Sequence, residues 1–414
     1  MSATPRNVDF AVWPFAAQLA RLLDVLDRDG EEARVVGGAV RNALIGVPVH
    51  DVDVATTAVP DEVVRRAKAA GFKPVPTGID HGTVTVVIDK HPFEVTTLRT
   101  DVETFGRHAK VEFGRDWRED ALRRDFTMNA LSATRDGTVH DYTTGLADLE
   151  ARRVCFIGDA RRRIEEDYLR ILRFFRFHAA YGLGHPDADG LAACIDEREG
   201  LDQLSRERVR MEMLKLVVAP RAAPTLAAMA HAGLLLRVLG GVPYLAAFEN
   251  MVKVEAAIGL APDAARRLGA LGVVITEDAE RLSQKLRLAN AEHARLKAMA
   301  ENWRQFSPQA DETPARALLY RLKEAAFTDS ALMAWARSPD SDRDPLWRAL
   351  VTLPQRWTPP VFPLKADDFM KRGIAKGPGL GMALRAAEEA WIAAGFPADA
   401  AGLEVIADKA AKPA

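Results

Sequence analysis

The sequence feature that most constrains this chain is residues 34–57, RVVGGAVRNALIGVPVHDVDVATT. Residues 34–36 are predicted to form a short buried strand, which Gly37 and Gly38 interrupt before an apolar helix pattern that ends at Gly46. Glycines at a strand-to-helix junction can present backbone N–H groups to an anion. The first half of the stretch therefore predicts a phosphate-binding turn at Gly37 and Gly38.

The second half of the stretch carries two carboxylates on a predicted short strand. Asp51 and Asp53 flank Val52, and side chains on a strand alternate between its two faces. We therefore expect both aspartates on one face, roughly 7 Å apart, with Val52 directed into the core. Oxygen ligands at this spacing suit a hard divalent cation. A phosphate-binding turn beside a Mg²⁺-binding pair is typical of phosphoryl or nucleotidyl transfer.

The spacing of these residues is more specific than either half alone, because Gly-Gly before a helix and Asp-x-Asp are each common. The string G-G-x-V-R-x-x-L-x-G-x-x-x-x-D-x-D-x-x-T resembles the signature of class II tRNA nucleotidyltransferases and bacterial poly(A) polymerases, within the polymerase β-like superfamily. That family usually has Asp after the arginine, whereas this chain has Asn42 after Arg41.

Two further strings continue the resemblance. Residues 83–89 and 92–99 are predicted to form a hairpin in which Glu94 lies on the face opposite Phe93. The string E-V-T-T-x-R that begins at Glu94 matches the place of the family's third acid. The string R-R-D-F-T-x-N-A at residues 123–130 matches a second block of the family.

The second block supplies cations for a triphosphate. Arg123 and Arg124 carry guanidinium groups that suit phosphate, and Asp125 is expected to orient one of them. The preceding residues 100–117 have mixed charge, two glycines and no long apolar pattern, which predicts a mobile active-site loop or a frayed hairpin. Many relatives have Asp-Gly-Arg in this loop, where this chain has Phe105-Gly106-Arg107.

Residues 152–177 hold eight arginines against four acids, a local net charge of +4. One helix is predicted through residues 164–176, with the apolar side chains on one arc and Asp167, Arg170, Arg173 and Arg176 on the other.

Asp167 and Arg170 are expected to be neighbours on this helix. The pair can match the Watson–Crick edge of cytosine or adenine, since both bases present an amine beside a ring nitrogen. Uracil and guanine have a carbonyl in place of that amine. A plain structural salt bridge is the alternative interpretation in an arbitrary helix.

The string E-D-x-x-R-x-x-R-x-x-R, however, resembles the protein template of class II CCA-adding enzymes. A later E-R-V-x-x-E string resembles another block of the family, in which Arg208 and Glu212 brace the template helix. The resemblance implies a set of site residues. For the reaction and two Mg²⁺ ions these are Asp51, Asp53 and Glu94; for the nucleotide they are Gly37, Gly38, Arg41, Arg123, Arg124, Asp167, Arg170, Arg173 and Arg176.

Composition narrows the class of protein. The net charge over 414 residues is −2, so an RNA site must depend on local clusters of arginine and lysine. The cysteines Cys155 and Cys194 fit no metal-binding spacing and no disulfide framework, which predicts a cytoplasmic protein. Neither a signal peptide nor an uncharged run of membrane-spanning length is expected. No stable protein partner is inferred.

The resemblance implies an α+β chain, with a polymerase β-like nucleotidyltransferase head that contains a small mixed sheet, followed by an all-α neck, body and tail. The expected parts are an N-terminal helix in 1–32, the head in 33–150, the neck with the template helix in 151–220, the body in 221–352, and a tRNA-contacting tail in 353–414.

The expected activity is addition of CCA to the 3′ end of tRNA from CTP and ATP, without a nucleic-acid template. A poly(A) polymerase ranks lower, because the sequence has neither a long basic N-terminal extension nor a strongly basic tail. A CC-only or A-only adding enzyme stays open. A catalytically inactive RNA-binding paralogue is disfavoured by the acids at 51, 53 and 94.

Overall fold

The computed structural model describes residues 6–78, 82–105, 108–309, 311–339 and 345–412. The chain divides into two compact units, Met1–Val238 and Leu239–Ala414. The first unit contains the sheets, and the described residues of the second form helices joined by turns. This arrangement confirms the predicted fold class. The finer division into five parts stays a prediction.

The strands of the first unit form a seven-stranded mixed sheet and a separate hairpin. The larger sheet has the order β3-β4-β5-β2-β1-β8-β9, in which only β2 and β5 pair in parallel. The strands are β1 Ala33–Val36, β2 Asp53–Thr56, β3 Lys73–Gly78, β4 Thr83–Ile88, β5 His91–Thr97, β6 Arg99–Phe105, β7 His108–Phe113, β8 Ser132–Ala133 and β9 Val139–His140.

Helices cover the sheet and continue beyond it. They are α1 Ala16–Leu26, α2 Gly38–Leu44, α3 Pro60–Ala69, α4 Trp117–Leu122, α5 Gly145–Glu150, α6 Ala160–Glu166, α7 Leu169–Tyr181, α8 Ala188–Asp196, α9 Arg206–Val217, α10 Ala222–His231 and α11 Leu234–Leu239. Short 3₁₀ helices lie at Phe10–Val12, Thr127–Asn129 and Arg198–Gln203.

One prediction about the head is wrong, and a second one left open two alternatives. The strand β2 begins at Asp53, so Asp51 precedes the strand instead of lying on it. The residues predicted to form a mobile loop or a frayed hairpin include the paired strands β6 and β7, which favours the hairpin. Within the tripeptide at 105–107 that departs from the family pattern, Gly106 and Arg107 lie outside the described residues.

The single helix predicted through residues 164–176 is wrong, because the chain breaks at Asp167. Helix α6 ends at Glu166, Asp167 is extended with φ −157° and ψ 105°, and α7 begins at Leu169. One oxygen of the Asp167 carboxylate accepts a hydrogen bond from the backbone N–H of Leu169 at 3.1 Å. Aspartate favours this local capping over a helix interior, which accounts for the break.

Helix α7 is anchored by a cluster of aromatic side chains. The rings of Phe126, Phe156, Phe174 and Phe177 lie 4.9–6.4 Å apart, centroid to centroid, in four contacts. Phe126 belongs to the R-R-D-F-T-x-N-A string and Phe174 and Phe177 belong to α7, so this cluster fixes the arginine-rich helix against the head. The buried arc of α7 is therefore wider than the sequence pattern predicted.

The second unit is helical in its described residues. Its helices are α12 Leu245–Ala257, α13 Ala264–Gly272, α14 Thr276–Leu286, α15 Asn290–Asn302, α16 Thr313–Ala336, α17 Pro345–Val351, α18 Leu353–Arg356, α19 Ala366–Met370, α20 Pro378–Ala393 and α21 Ala400–Ala411, with a 3₁₀ helix at Trp303–Gln305. Across the described part of the chain, no helix has the length and apolarity that a bilayer crossing requires.

Buried ion pairs hold four helices of the second unit together. Glu255 of α12 is 1% exposed and accepts from Arg266 at 2.9 Å and from Arg267 at 2.7 Å, both on α13. Asp329 of α16 accepts from Arg266 at 3.0 Å and from Arg295 of α15 at 2.8 Å. Because charges out of water are costly when unpaired, loss of one partner should destabilise the unit strongly.

We predict that Glu255→Ala lowers the free energy of unfolding by about 3–5 kcal/mol, since it removes the carboxylate that Arg266 and Arg267, both buried, share. The matched control is Glu249→Ala on the same helix, whose exposed pair with Lys253 should contribute less than about 1 kcal/mol. Urea unfolding of both variants measures the difference. Equal losses would contradict a structural role for the buried pairs.

Candidate functional site

The first unit contains an open cavity of about 510 Å³ between the large sheet and helices α7 and α9. Its lining residues are Gly37, Gly38, Arg41, Asp53, Arg124, Asp125, Asn129, Asp167, Leu169, Arg170, Arg173, Phe177 and Arg208. The cavity thus brings together most of the predicted site residues, from three separate stretches of sequence. The predicted residues outside its lining are Asp51, Glu94, Arg123 and Arg176.

The carboxylates of the site lie at the edge where β2 and β5 run in parallel. In their register the Cα of Asp53 is the partner of the Cα of Glu94, so the two side chains share a face of the sheet. Val52, predicted to point into the core, is buried, and so is Phe93, predicted to lie on the face opposite Glu94, while Asp51, Asp53 and Glu94 are exposed. The expected separation of core and solvent faces is confirmed.

Repulsion couples these acids to one another. Although part of the Asp53 surface is open to solvent, the protein around its carboxylate displaces water, and this desolvation raises its pKa above the usual value. The like charges of Glu94 and Asp51 raise the pKa further, and Arg124 opposes them. A divalent cation takes carboxylate oxygens as ligands and offsets such repulsion, so the chemistry of these residues fits one. Among the residues that the structure describes, no three His, Cys, Asp or Glu side chains form a ready-made metal cluster.

The glycine turn works differently from its prediction. The N–H of Gly37 donates to the carbonyl of Leu131 at 2.9 Å, so this amide is occupied within the sheet and does not face an anion. Gly37 has φ +68°, and a Cβ there would lie 3.0 Å from Nη1 of Arg124. The glycine therefore provides room for an arginine, while Gly38 begins helix α2.

Asp120, rather than Asp125, orients the paired arginines. Its buried carboxylate accepts from Nε of Arg123 at 2.9 Å and from Nη2 of Arg124 at 3.1 Å. Burial alone would raise the pKa of Asp120, but Arg124 and Arg123 hold it below its usual value. The prediction that Asp125 orients one of these arginines is wrong, because Asp125 accepts from Arg173 of α7 at 2.8 Å.

The predicted base-reading pair is not a mutual salt bridge. Asp167 accepts from Nη2 of Arg208 at 2.6 Å, and Arg170 donates to Glu166 and to the carbonyl of Arg163. Both side chains line the cavity, but each is held by its own partner because the helix breaks between Glu166 and Leu169. The plain i,i+3 salt bridge that was the alternative interpretation is therefore not what positions them.

Helix α9 braces the template region as the sequence predicted. Arg208 binds Asp167, and Glu212 accepts from Arg176, so two contacts tie α9 to the segment that carries the arginines. Arg176 therefore acts here as a contact between α7 and α9. Whether it also holds a nucleotide stays a prediction.

Arg41 lies almost entirely buried, with 6% of its surface exposed. Oδ1 of Asn42 accepts from its Nε at 3.1 Å and from its Nη2 at 2.9 Å, the hydroxyl of Tyr181 accepts from Nη2 at 2.7 Å, and Oδ1 of Asn129 accepts from Nη1. The guanidinium also stacks on the ring of Tyr181 at 4.0 Å. Burial lowers its pKa from the usual value.

The predicted site residues did not include Leu169, Asn129 and Phe177, which also line the cavity. Asn129 donates to Asp125 at 2.9 Å and accepts from Arg41, so it joins two cavity walls. It stands inside the R-R-D-F-T-x-N-A string, and a polar residue in a short 3₁₀ turn was the available signal. Phe177 ends the arginine-rich pattern and gave no signal beyond its apolarity.

Two protein-family models match the chain. The one described as "Poly A polymerase head domain" covers residues 33–155, and the one described as "Probable RNA and SrmB- binding site of polymerase A" covers residues 186–249. The first match contains Asp53 and Arg124, and the second contains helix α9 with Arg208.

Curated relatives match along most of the chain. A Mus musculus protein named "CCA tRNA nucleotidyltransferase 1, mitochondrial" is 33% identical over 386 residues, which cover 92% of this chain and 88% of the relative. The CCA-adding enzyme of Limosilactobacillus fermentum is 31% identical over 371 residues, which cover 88% of this chain and 89% of the relative.

Solved structures match in fold. The crystal structure of the Bacillus stearothermophilus CCA-adding enzyme in complex with CTP has a TM-score of 0.71 at 28% identity, over 92% of this chain and 93% of that one. The Thermotoga maritima CCA-adding enzyme complexed with tRNA has a TM-score of 0.70 over 97% and 98%. At 18% identity, the second likeness concerns the fold alone.

We predict that Gly37→Ala weakens binding of inorganic tripolyphosphate, because its Cβ would displace Arg124. The control is Gly46→Ala, which has a similar φ of +69° but no atom within 4 Å of the added Cβ. Both variants should lose stability, by roughly 1–2 kcal/mol or more, because L residues disfavour positive φ. Calorimetric titration measures the affinity of both variants for tripolyphosphate. Equal affinities would mean that the space at Gly37 has no role in anion binding.

Proposed function

This chain belongs to the CCA tRNA nucleotidyltransferase family, the CCA-adding enzymes, and we propose that it adds C, C and A to the 3′ end of tRNA. The nucleotides come from CTP and ATP, each addition releases pyrophosphate, and no nucleic-acid template is read. The family assignment rests on relatives that match over about nine-tenths of the chain, one of them 33% identical across 92% of it.

The observation that carries the proposal is that one cavity joins Asp53, Arg124, Asp167 and Arg170. Asp53 marks the end where a phosphoryl group reacts, and Asp167 marks the end where a base is read. Arg41 and Arg124 line the same space. The cavity therefore offers separate places for the triphosphate and for the base of one nucleotide.

We propose that Asp51, Asp53 and Glu94 hold two Mg²⁺ ions. When bound, such ions activate the attacking 3′-hydroxyl of the tRNA and stabilise the leaving pyrophosphate. Desolvation, and then repulsion from Glu94 and Asp51, raise the pKa of Asp53, and a bound cation would offset that repulsion. Gly38, Arg41, Arg123 and Arg124 are proposed to hold the triphosphate.

Base selection is proposed to depend on Asp167 and Arg170, with Arg173 and Arg176 supporting the nucleotide. Arg208 and the N–H of Leu169 each bind one oxygen of the Asp167 carboxylate, which fixes its orientation. A carboxylate has about four acceptor sites, so acceptor capacity remains for the exocyclic amine of cytosine or adenine. Arg170 would donate to the ring acceptors of the same base.

We also propose a cytoplasmic location, supported by the two unpaired cysteines Cys155 and Cys194. The mammalian relatives have names that place them in mitochondria. The proposed partner is tRNA, bound through local basic surface, because the net charge of the whole chain is −2.

We predict that Asp53→Ala abolishes incorporation of both CMP and AMP while tRNA binding persists. Loss of a metal ligand removes several kcal/mol of transition-state stabilisation, whereas affinity for RNA depends mainly on arginine and lysine contacts with phosphates. Asp61→Ala, an exposed acid on α3, is the control and should keep full activity. Turnover above about one per cent in Asp53→Ala would contradict the metal assignment.

We predict that Asp167→Ala lowers the preference for CTP over UTP by roughly five- to 150-fold in kcat/KM, the range of about 1–3 kcal/mol for a bidentate base contact. Glu165→Ala, an exposed acid on α6, should leave the preference unchanged. If Asp167 only pairs with Arg208, its loss should lower stability, leave the CTP/UTP ratio unchanged, and be partly rescued by Arg208→Ala. Steady-state kinetics on a tRNA primer distinguish these outcomes.

A further inference from the structure

Most arginines of the cavity have a carboxylate of their own. Arg124 pairs with Asp120, Arg170 with Glu166, Arg173 with Asp125 and Arg208 with Asp167. These pairs orient the guanidinium groups and offset part of their charge, although Asp120 also pairs with Arg123 and Glu166 also pairs with Arg163.

Arg41 differs from the other cavity arginines. Within the described residues its side chain has no salt bridge, and its hydrogen-bond partners are the neutral groups of Asn42, Asn129 and Tyr181. It is nevertheless among the most deeply buried of the cavity arginines, with 6% exposure. Asp125 attracts Arg41 without forming a salt bridge to it and is already paired with Arg173, so the free protein holds positive charge at this wall that is only partly neutralised.

The geometry of Asn42 explains how this charge is held in place. Its Oδ1 accepts from both Nε and Nη2 of Arg41, at 3.1 and 2.9 Å. These two nitrogens form the edge of the guanidinium to which a carboxylate commonly binds. An amide oxygen in this position orients the guanidinium but does not neutralise it. A carboxylate in the same position would do both.

We propose that Asn42 is a positioning residue for the nucleotide, which fixes Arg41 through a neutral contact and leaves its charge for the triphosphate. The inference deepens the proposed function and rests on it. A carboxylate at this place would compete with the phosphates for Arg41. Asparagine therefore favours tighter binding of the triphosphate at the expense of stability in the free protein.

The test compares Asn42→Asp, Asn42→Ala and the unaltered protein. Asn42→Asp should raise the melting temperature, because it supplies the missing counter-charge. It should also weaken binding of inorganic tripolyphosphate, measured by calorimetry without divalent metal, and raise KM for CTP and ATP, each on the order of tenfold. The kcat should stay within about twofold, since Arg41 is expected to act on binding rather than on the reaction.

Asn42→Ala is the control, because it removes the acceptor without adding charge. It should lower the melting temperature and change affinity for tripolyphosphate less than Asn42→Asp does. A lower melting temperature in Asn42→Asp, or an unchanged KM and tripolyphosphate affinity in that variant, would overturn the proposal. So would equal effects of both substitutions on affinity, which would mean that the amide acts only through shape.

These measurements distinguish a failure of the inference about Asn42 from a failure of the proposed function. If the unaltered protein incorporates neither CMP nor AMP into tRNA, the proposed function fails, while the tripolyphosphate titration and the melting temperatures still test Asn42. If the unaltered protein is active and Asn42→Asp behaves like it, only the inference about Asn42 fails.

Discussion

Ion pairs between arginines and carboxylates of distant segments hold the cavity of this protein together. Asp125 with Arg173 joins the head to helix α7, and Arg208 with Asp167 joins α9 to the break before α7. Each pair is largely removed from water, so removal of either partner would leave a costly charge behind. The walls of the cavity are therefore fixed before a nucleotide binds, which suits a site that must measure the shape of a base.

The same pairing divides the charges of the cavity into two kinds. The paired arginines are hydrogen-bond donors that their carboxylate partners orient, and these carboxylates offset part of their charge. Arg41 and Asp53 are the groups whose charge is left over: Arg41 has only neutral partners, and the pKa of Asp53 is raised by burial, Glu94 and Asp51. An anionic triphosphate and a cationic metal are complementary in charge to these two residues, which agrees with the proposed function.

How far the sequence could predict this site depends on how local each feature is. The strand, turn and helix from β1 to α2, and the burial of Val52 and Phe93, follow from alternation and periodicity within a few residues. The hydrogen-bond partner of each group does not follow from such local patterns. The N–H of Gly37 is taken by Leu131 because β1 pairs with β8, a register set by the whole sheet.

Long side chains and helix breaks escaped prediction for a related reason. Arg123 and Arg124 can reach several acids, and only the folded chain decides for Asp120 over Asp125. The break at Asp167 arises from competition between a helix interior and a side-chain cap, which differ little in free energy. The spacing of the motifs predicted most of the residues that line the cavity, whereas the hydrogen-bond partners of their side chains depend on the tertiary structure.

We propose that the protein itself selects C, then C, then A. The decisive measurement supplies CTP, ATP, UTP or GTP singly to tRNA that ends at the discriminator base, at C, or at CC. We expect CMP addition to the first two primers, AMP addition to the third, and negligible use of UTP or GTP. Repeated AMP addition to every primer, or equal use of all four nucleotides, would contradict it.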